Sequence, residues 1–306
     1  MTSLVTGATG FIGQHLVASL IADRTTVVAL CHNTLPPQSW YGFALWPGSA
    51  AVQGDVRDLL FLRQVLSRYE VDTVYHLAAQ TQVGISASNP ADTFDVNVRG
   101  TWTVLEACRL EKVRRVVVAS SDKAYGECKD SNEGDYLRGM CAYSVSKVCA
   151  DRLATSYGVT YDLPVAITRC GNVYGPGDTH WRRLIPGAIR AALRGEPFQL
   201  RTDGSGVRDY LHVSDVVRAY RMLADSKEVG PFNFSGGWPS SARGVLNFVW
   251  QRIGDAGKIV YGDSQDELKL QTLCCRKALK MLGWTPKVDF DRGLDDTIRW
   301  YREHLR

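Results

Sequence analysis

Short β-branched runs alternate with amphipathic stretches through the first half of the chain. Residues 3–6, 26–31, 51–54, 71–77 and 113–119 read as strands, and Val116, Val117 and Val118 mark the last of these as buried. Helical periodicity runs over 11–22, and a longer helix, 91–110, carries Asn97. Strands alternating with helices predict a doubly wound parallel α/β sheet. Later, 184–194 reads as a helix, and 211–233 reads as a strand, a helix and a second strand that returns to the first sheet. Helices near 242–254 and 293–304 close the chain. The expected division is a nucleotide-binding domain over 1–170 with a returning segment at about 209–235. A smaller α/β lobe takes 171–208 and 236–306.

Glycines punctuate the first strand-to-helix turn. Gly7, Gly10 and Gly13 follow the opening strand, with Phe11 and Ile12 between the last two. The strand before, the helix after and the second strand beyond form a βαβ unit. In such a unit backbone N–H groups at a helix N-terminus can approach a pyrophosphate. A bare tight turn is the structural alternative, and the G-x-x-G-x-x-G spacing differs from the general dinucleotide fingerprint.

The second strand ends in Cys31, His32 and Asn33, without the acid that commonly holds the ribose of NAD. His32 and Asn33 are candidates for the ribose or for a 2′-phosphate, so NAD and NADP both remain open. Asp55, followed by Val56, can accept from an adenine amino group or cap the next helix. Leu77, Ala78, Ala79 and Gln80 end the fourth strand with small residues that let a cofactor lie close. Residues 34–49, rich in Pro, Trp and Gly, read as a long loop with aromatic anchors.

The densest chemistry lies between 116 and 147. Ser121, Asp122 and Lys123 stand consecutively at a strand end, and Tyr143 and Lys147 stand four apart at a helix start. That spacing places phenol and ammonium on one helical face, where the positive charge favours phenolate. A solvated surface turn is the bland reading of Asp122 and Lys123; the neighbouring Tyr–Lys pair argues against it.

Composition narrows the class. Of 306 residues, 45% are hydrophobic and 22% charged, with a net charge of +4, as in an ordinary globular protein suited to an anionic small molecule. No long basic run argues for nucleic acid, and no apolar run reaches membrane-spanning length. Eight scattered cysteines match neither a disulfide framework nor a zinc site, so a reduced, cytoplasmic, metal-free chain is expected.

Taken together, GATGFIG, DVRD, HLAAQ, NVRGT and Y-x-x-x-K resemble the extended short-chain dehydrogenase/reductase superfamily over nearly the whole chain. The resemblance implies bound NAD(P), Tyr143 as the redox base, Lys147 on the nicotinamide ribose, and Asn97 behind the site. Asp122 beside Lys123 is similar to the sugar-nucleotide 4,6-dehydratases, and within them to the CDP-glucose group. It implies a nucleoside-diphosphate hexose substrate and a homodimer built on the helix pair 95–110 and 144–157. Carried over on the same basis, Thr81, Val83, Asn172, Arg183, Leu184, Ile185, Arg208, His212 and Glu267 are expected to touch the substrate. Arg208 is expected on the diphosphate. The chain departs from the group's Arg-Pro-Trp-Gln-His string at Arg208–His212, and lacks an expected aspartate within 272–275.

Chemically, a hexose C5 proton becomes acidic once C4 is a ketone. Tyr143 would then serve C4 with Ser121 on the developing carbonyl, Lys123 would take the C5 proton, and Asp122 would protonate the leaving C6 hydroxyl. A close Asp–Lys ion pair would oppose both roles, so the two heads are expected to diverge or titrate together. A 4-epimerase would use the same tyrosine, lysine and cofactor with no need of that pair. A cofactor-sensing regulator commonly lacks the tyrosine or lysine present here.

Overall fold

The computed structural model describes residues 1–32, 49–254, 258–263 and 268–305. The first half runs β1 (Thr2–Thr6), α1 (Phe11–Ala22), β2 (Thr26–Cys31), β3 (Ser49–Gln53), α2 (Leu59–Arg68), β4 (Thr73–His76), α3 (Val83–Ser88), α4 (Pro90–Phe94), α5 (Gly100–Leu110), β5 (Arg115–Ala119), β6 (Cys128–Ser131), α6 (Ala142–Tyr161) and β7 (Val165–Cys170). The second half runs β8 (Asn172–Tyr174), α7 (Leu184–Arg194), β9 (Phe198–Gln199), β10 (Val207–His212), α8 (Val213–Asp225), β11 (Gly230–Phe234), β12 (Pro239–Ser241), α9 (Ala242–Ile253), β13 (Ile259–Val260), β14 (Leu270–Leu273), α10 (Arg276–Leu282) and α11 (Phe290–His304).

The β-branched runs pair into a seven-stranded sheet of order β11-β7-β5-β4-β1-β2-β3, every pair parallel. Such strands are buried on both faces, which is why they read as continuous apolar runs. One face packs on α1 and α8 around Leu16, Val17 and Tyr220, the other on α2 and α5 around Leu62, Leu66 and Leu105. Strand order reverses between β1 and β4, so a crevice opens beyond their C-terminal ends.

The helix expected over 91–110 is not continuous. Asp95–Arg99 forms a π turn between α4 and α5. The Thr101 and Thr103 hydroxyls bond back to the carbonyls of Asn97 and Arg99, and the widened turn presents Asn97 to the β4 end.

A second sheet, β12-β10-β14-β6, crosses between the two parts of the chain, with β8 also paired to β10. Its β6 follows the Asp122 turn directly, while β14 comes from the far end of the sequence. The smaller lobe has its own core, in which Trp238 stacks on Phe290 at 3.7 Å beside Tyr210 and Phe248. Among the described residues no helix is long and apolar enough to cross a membrane. All eight cysteines are free thiols.

Candidate active site

The glycine turn is a cradle that side chains would fill. Gly7 has φ +66°, and a Cβ there would lie 2.8 Å from the Ala78 nitrogen; at Gly13 it would lie 2.2 Å from the Gly7 carbonyl oxygen. Gly10 caps α1 without a side-chain bond, so the first-turn N–H groups of Phe11, Ile12 and Gly13 have no intrahelical acceptor. Leu77, Ala78, Ala79 and Gln80 line the opposite side at half-exposed positions. These features fit a dinucleotide.

A neutral polar network stiffens that crevice. Thr6 Oγ1 accepts from the N–H groups of Leu77 and Ala78, so its own proton goes to His76 Nδ1 at 2.9 Å. His76 Nε2–H then meets Thr101 Oγ1, which donates to the Asn97 carbonyl. Burial pushes His76 down to about 3, consistent with this neutral tautomer. The Asn97 carboxamide accepts from Gln80 N and donates to Gln80 O and Ser146 Oγ, and Ser146 donates to the Tyr143 carbonyl. Asn97 was expected behind the site, and its carboxamide ties the β4 end to the helix that carries Tyr143.

At the adenine end, Asp55 is gripped by Arg57 through N, Nε and Nη2, which holds its carboxyl down at about 2. Arg57 also reaches Asp95. His32 is exposed with Nε2 3.5 Å from Asp55, and the Val56 side chain is buried against Gly100. Asn33 and Glu267 lie outside the described residues.

The end of β5 gathers the reactive groups. Ser121 caps a 3₁₀ turn, Asp122–Tyr125, accepting from Lys123 N and donating to Asp122 Oδ1 at 2.9 Å. Asp122 is buried. Lys123 Nζ lies 2.8 Å from Asp122 Oδ2, with 21% of the lysine side chain and 3% of the aspartate side chain exposed, so the pair is not a solvated surface turn. Of the two expected alternatives, divergence or a joint titration, the heads do not take the first: they are in contact, and Lys123 Nζ is also held by Asn172 Oδ1 at 3.0 Å and by Gln271 Oε1.

Tyr143 lies against Ser121, and its state departs from expectation. Burial pushes the phenol up to about 12, against a Ser121 hydrogen bond and the Arg183 charge, which both lower it. Lys147 is not among the groups that act on it most strongly, and its Nζ donates to the Ala119 carbonyl at 2.9 Å. Burial takes Lys147 itself down to about 8, opposed by Asp151 one turn on. Asp151 in turn is clamped by both Arg169 nitrogens at 2.8 and 2.7 Å, and Arg169 bonds the Tyr125 hydroxyl.

The expected substrate residues divide. Asn172, at the start of β8, reaches Lys123. Arg183, at the N-cap of α7, donates to Asp178 Oδ2 at 2.9 Å and lies within electrostatic range of Tyr143. Thr81 and Val83 are exposed where α3 starts, and the position a Gly84 Cβ would take is 3.9 Å from Arg182 Nη1. Arg208 pairs in register with Gln271 and shares its face of the second sheet. Ile185 is a core residue, and Leu184 packs partly buried against the same cluster, so neither side chain offers a polar contact. His212 stands at the N-cap of α8. Its ring caps α8 by accepting from Ser214 N and packs edge-on against Tyr174, which commits it to the lobe junction.

Gln271 is the residue sequence reasoning missed. It is fully buried on β14, with Nε2 donating to the carbonyls of Asp122 and Gly126 and Oε1 facing Lys123. Its one trace in sequence is its place at the edge of the 272–275 stretch that departs from the superfamily pattern.

Comparison with known proteins agrees with this geometry. The profile of the NAD dependent epimerase/dehydratase family matches residues 3–234. A dTDP-glucose 4,6-dehydratase of Actinoplanes sp. is 31% identical over 99% of this chain and 98% of its own. An Arabidopsis thaliana trifunctional UDP-glucose 4,6-dehydratase, 3,5-epimerase and reductase is 31% identical over 98% of this chain, which spans 47% of that protein's length. Among solved structures, a double mutant of dTDP-glucose 4,6-dehydratase from Streptomyces venezuelae with NAD bound superposes with TM-score 0.93 at 31% identity, covering 99% and 98% of the two chains. The UDP-glucose 4-epimerase of Thermotoga maritima superposes with TM-score 0.92 at 27% identity over the whole of both chains.

Proposed function

The chain belongs to the NAD-dependent epimerase/dehydratase family, and from that premise we propose that it removes water from a nucleoside-diphosphate hexose, CDP-glucose being the first candidate, to give the 4-keto-6-deoxy sugar nucleotide. NAD, once bound, supplies a hydride acceptor for C4 and the hydride later given to C6. Gly7, Gly10 and the first-turn N–H groups of Phe11, Ile12 and Gly13 would hold its pyrophosphate, and Tyr143 and Lys147 its nicotinamide ribose. The observation that carries the reading is the largely buried Asp122–Lys123 pair at the end of β5, joined through Ser121 to Tyr143.

The cycle runs from the amine form of Lys123. As Tyr143 receives the C4 hydroxyl proton, its own passes through Ser121 to Asp122, so a phenol that burial holds near 12 never stands as phenolate. Asp122 becomes the acid. Lys123 takes the C5 proton, the C5–H electron pair becomes the C5–C6 double bond, and the C6–O bond breaks. The departing hydroxyl takes the Asp122 proton and leaves as water. Lys123 returns its proton to C5 as C6 is reduced, which leaves tyrosine, carboxylate and amine as they began. Protons and electrons balance without an outside donor.

Arg183 and Arg208 are the guanidinium candidates for the diphosphate. A second copy of the chain would cover the apolar groove between α5 and α6, lined by Phe94, Val98, Trp102 and Leu153. Incubating the protein and NAD with CDP-, dTDP- and UDP-glucose, then weighing the product, tests the reading: a product lighter by one water supports it. Conversion without mass change would establish instead the 4-epimerase reading, which the fold shared with the Thermotoga enzyme favours.

A further inference from the structure

We propose that Gln271 is a positioning residue that aims the Lys123 amine for the elimination step, an inference that rests on the dehydratase reading. A tetrahedral nitrogen on Cε has three remaining directions, and at Lys123 they meet Asp122 Oδ2, Asn172 Oδ1 and Gln271 Oε1. The ammonium is therefore saturated by protein. The amine has two N–H groups and one lone pair, so one acceptor must give way. Asp122 gives way, because once protonated it is itself a donor, directed at the C6 hydroxyl. The two N–H groups stay on Asn172 and Gln271, and the lone pair is left on the Asp122 side. Base and acid then serve C5 and C6 from one side of the sugar.

The Gln271 carboxamide can do this because it cannot turn over. Its Nε2 donates to Asp122 O at 3.1 Å and to Gly126 O at 2.8 Å; a flipped amide would set oxygen against two carbonyls and N–H against the lysine. It also arrives from β14, paired to β6 just after the catalytic turn, so the smaller lobe takes part in fixing the base. Free rotation about Cε–Nζ is what the side chain suppresses.

The test compares Gln271→Met, which keeps the volume without a comparable acceptor, and Gln271→Asn, which draws the oxygen back, with the wild-type holoenzyme. C4 oxidation is read from reduced-nicotinamide absorbance and elimination from loss of water, each with ordinary and C5-deuterated nucleotide sugar. Both variants should oxidise C4 at near wild-type rate with unchanged KM, eliminate about 10- to 100-fold more slowly, and show a larger C5-deuterium isotope effect on kcat. Wild-type elimination rates, an isotope effect that does not rise, or equal slowing of both steps would overturn the proposal. So would failure of both variants to fold, which would assign Gln271 to the architecture of the turn. If the wild-type protein itself releases no water, the dehydratase reading fails, and the positioning role falls with it.

Discussion

Replacing Lys147 by methionine should stabilise the protein at neutral pH while abolishing catalysis, and the gain should reverse in alkali. Lys147 is buried, and burial lowers its ammonium from the usual 10.5 to about 8 despite the Asp151 carboxylate. A fall of that size corresponds to about 3 kcal/mol of charge penalty in the folded protein. The folded protein holds this proton less tightly than the unfolded chain does. The penalty therefore stands in full below about pH 8 and is relieved as pH rises from there toward 10.5. Methionine removes the penalty but strands the Ala119 carbonyl, which accepts from Nζ at 2.9 Å, and a buried acceptor left unpaired costs about 1–3 kcal/mol. The net expectation is a gain of up to about 2 kcal/mol at pH 7 and a loss of about 1–3 kcal/mol near pH 10.5. Urea denaturation of both proteins at pH 7, 8.5 and 10.5 measures the difference, and groups common to the two cancel. A variant less stable at pH 7, or a difference that stays flat across the range, would refute the reasoning.

Other replacements probe separate parts of the site. Lys123→Ala should lose at least about 100-fold in water elimination, on the scale of a general base, while still reducing NAD; a full dehydration rate would remove Lys123 as the base. Asp151→Asn leaves the Arg169 guanidinium buried without its carboxylate and should lower stability by about 3–5 kcal/mol in urea; a loss below about 1 kcal/mol would place the pair outside the core energetics. Trp102→Glu, on the half-exposed apolar groove of α5 and α6, should shift the protein to monomer on light scattering with its melting point little changed. A wild-type protein already monomeric would sink the homodimer.

The parallel sheet was legible because strands buried on both faces must be apolar throughout, and 26–31 was read with the bounds of β2. The π turn was not, since its cause is the Thr101 and Thr103 hydroxyls bonding back along the helix, which leaves periodicity nearly intact. Ser121, Asp122, Lys123, Tyr143 and Lys147 meet at one strand end as their local spacing implied. Their protonation was not legible, because it depends on what each head faces. Tyr143 was expected to be pulled down by Lys147, yet burial is the largest influence on both and takes the phenol up to about 12. His212 was expected on the substrate because it closes a motif, but the motif ends at a helix start, and there the ring becomes a cap. Gln271 lies 148 residues from Lys123 in the chain. Only the pairing of β6 with β14 brings them together, and no local pattern encodes that pairing.

Two acid–base pairs on one strand end would interfere if nothing ordered them. Tyr143 and Lys147 sit on α6, where burial keeps the phenol protonated and brings the ammonium down to about 8, still charged at neutral pH. Asp122 and Lys123 sit on the 3₁₀ turn with Oδ2 and Nζ 2.8 Å apart. Ser121 is the one hydroxyl that touches both sets, bonded to Asp122 Oδ1 and to the Tyr143 phenol. In the proposed cycle a proton taken at C4 reaches Asp122 by that hydroxyl, which makes oxidation the event that protonates the acid. On that reading elimination before oxidation would be blocked twice, by an unacidified C5–H bond and by an acid that still lacks its proton. The proposed order of the reaction then follows from the connectivity of three side chains.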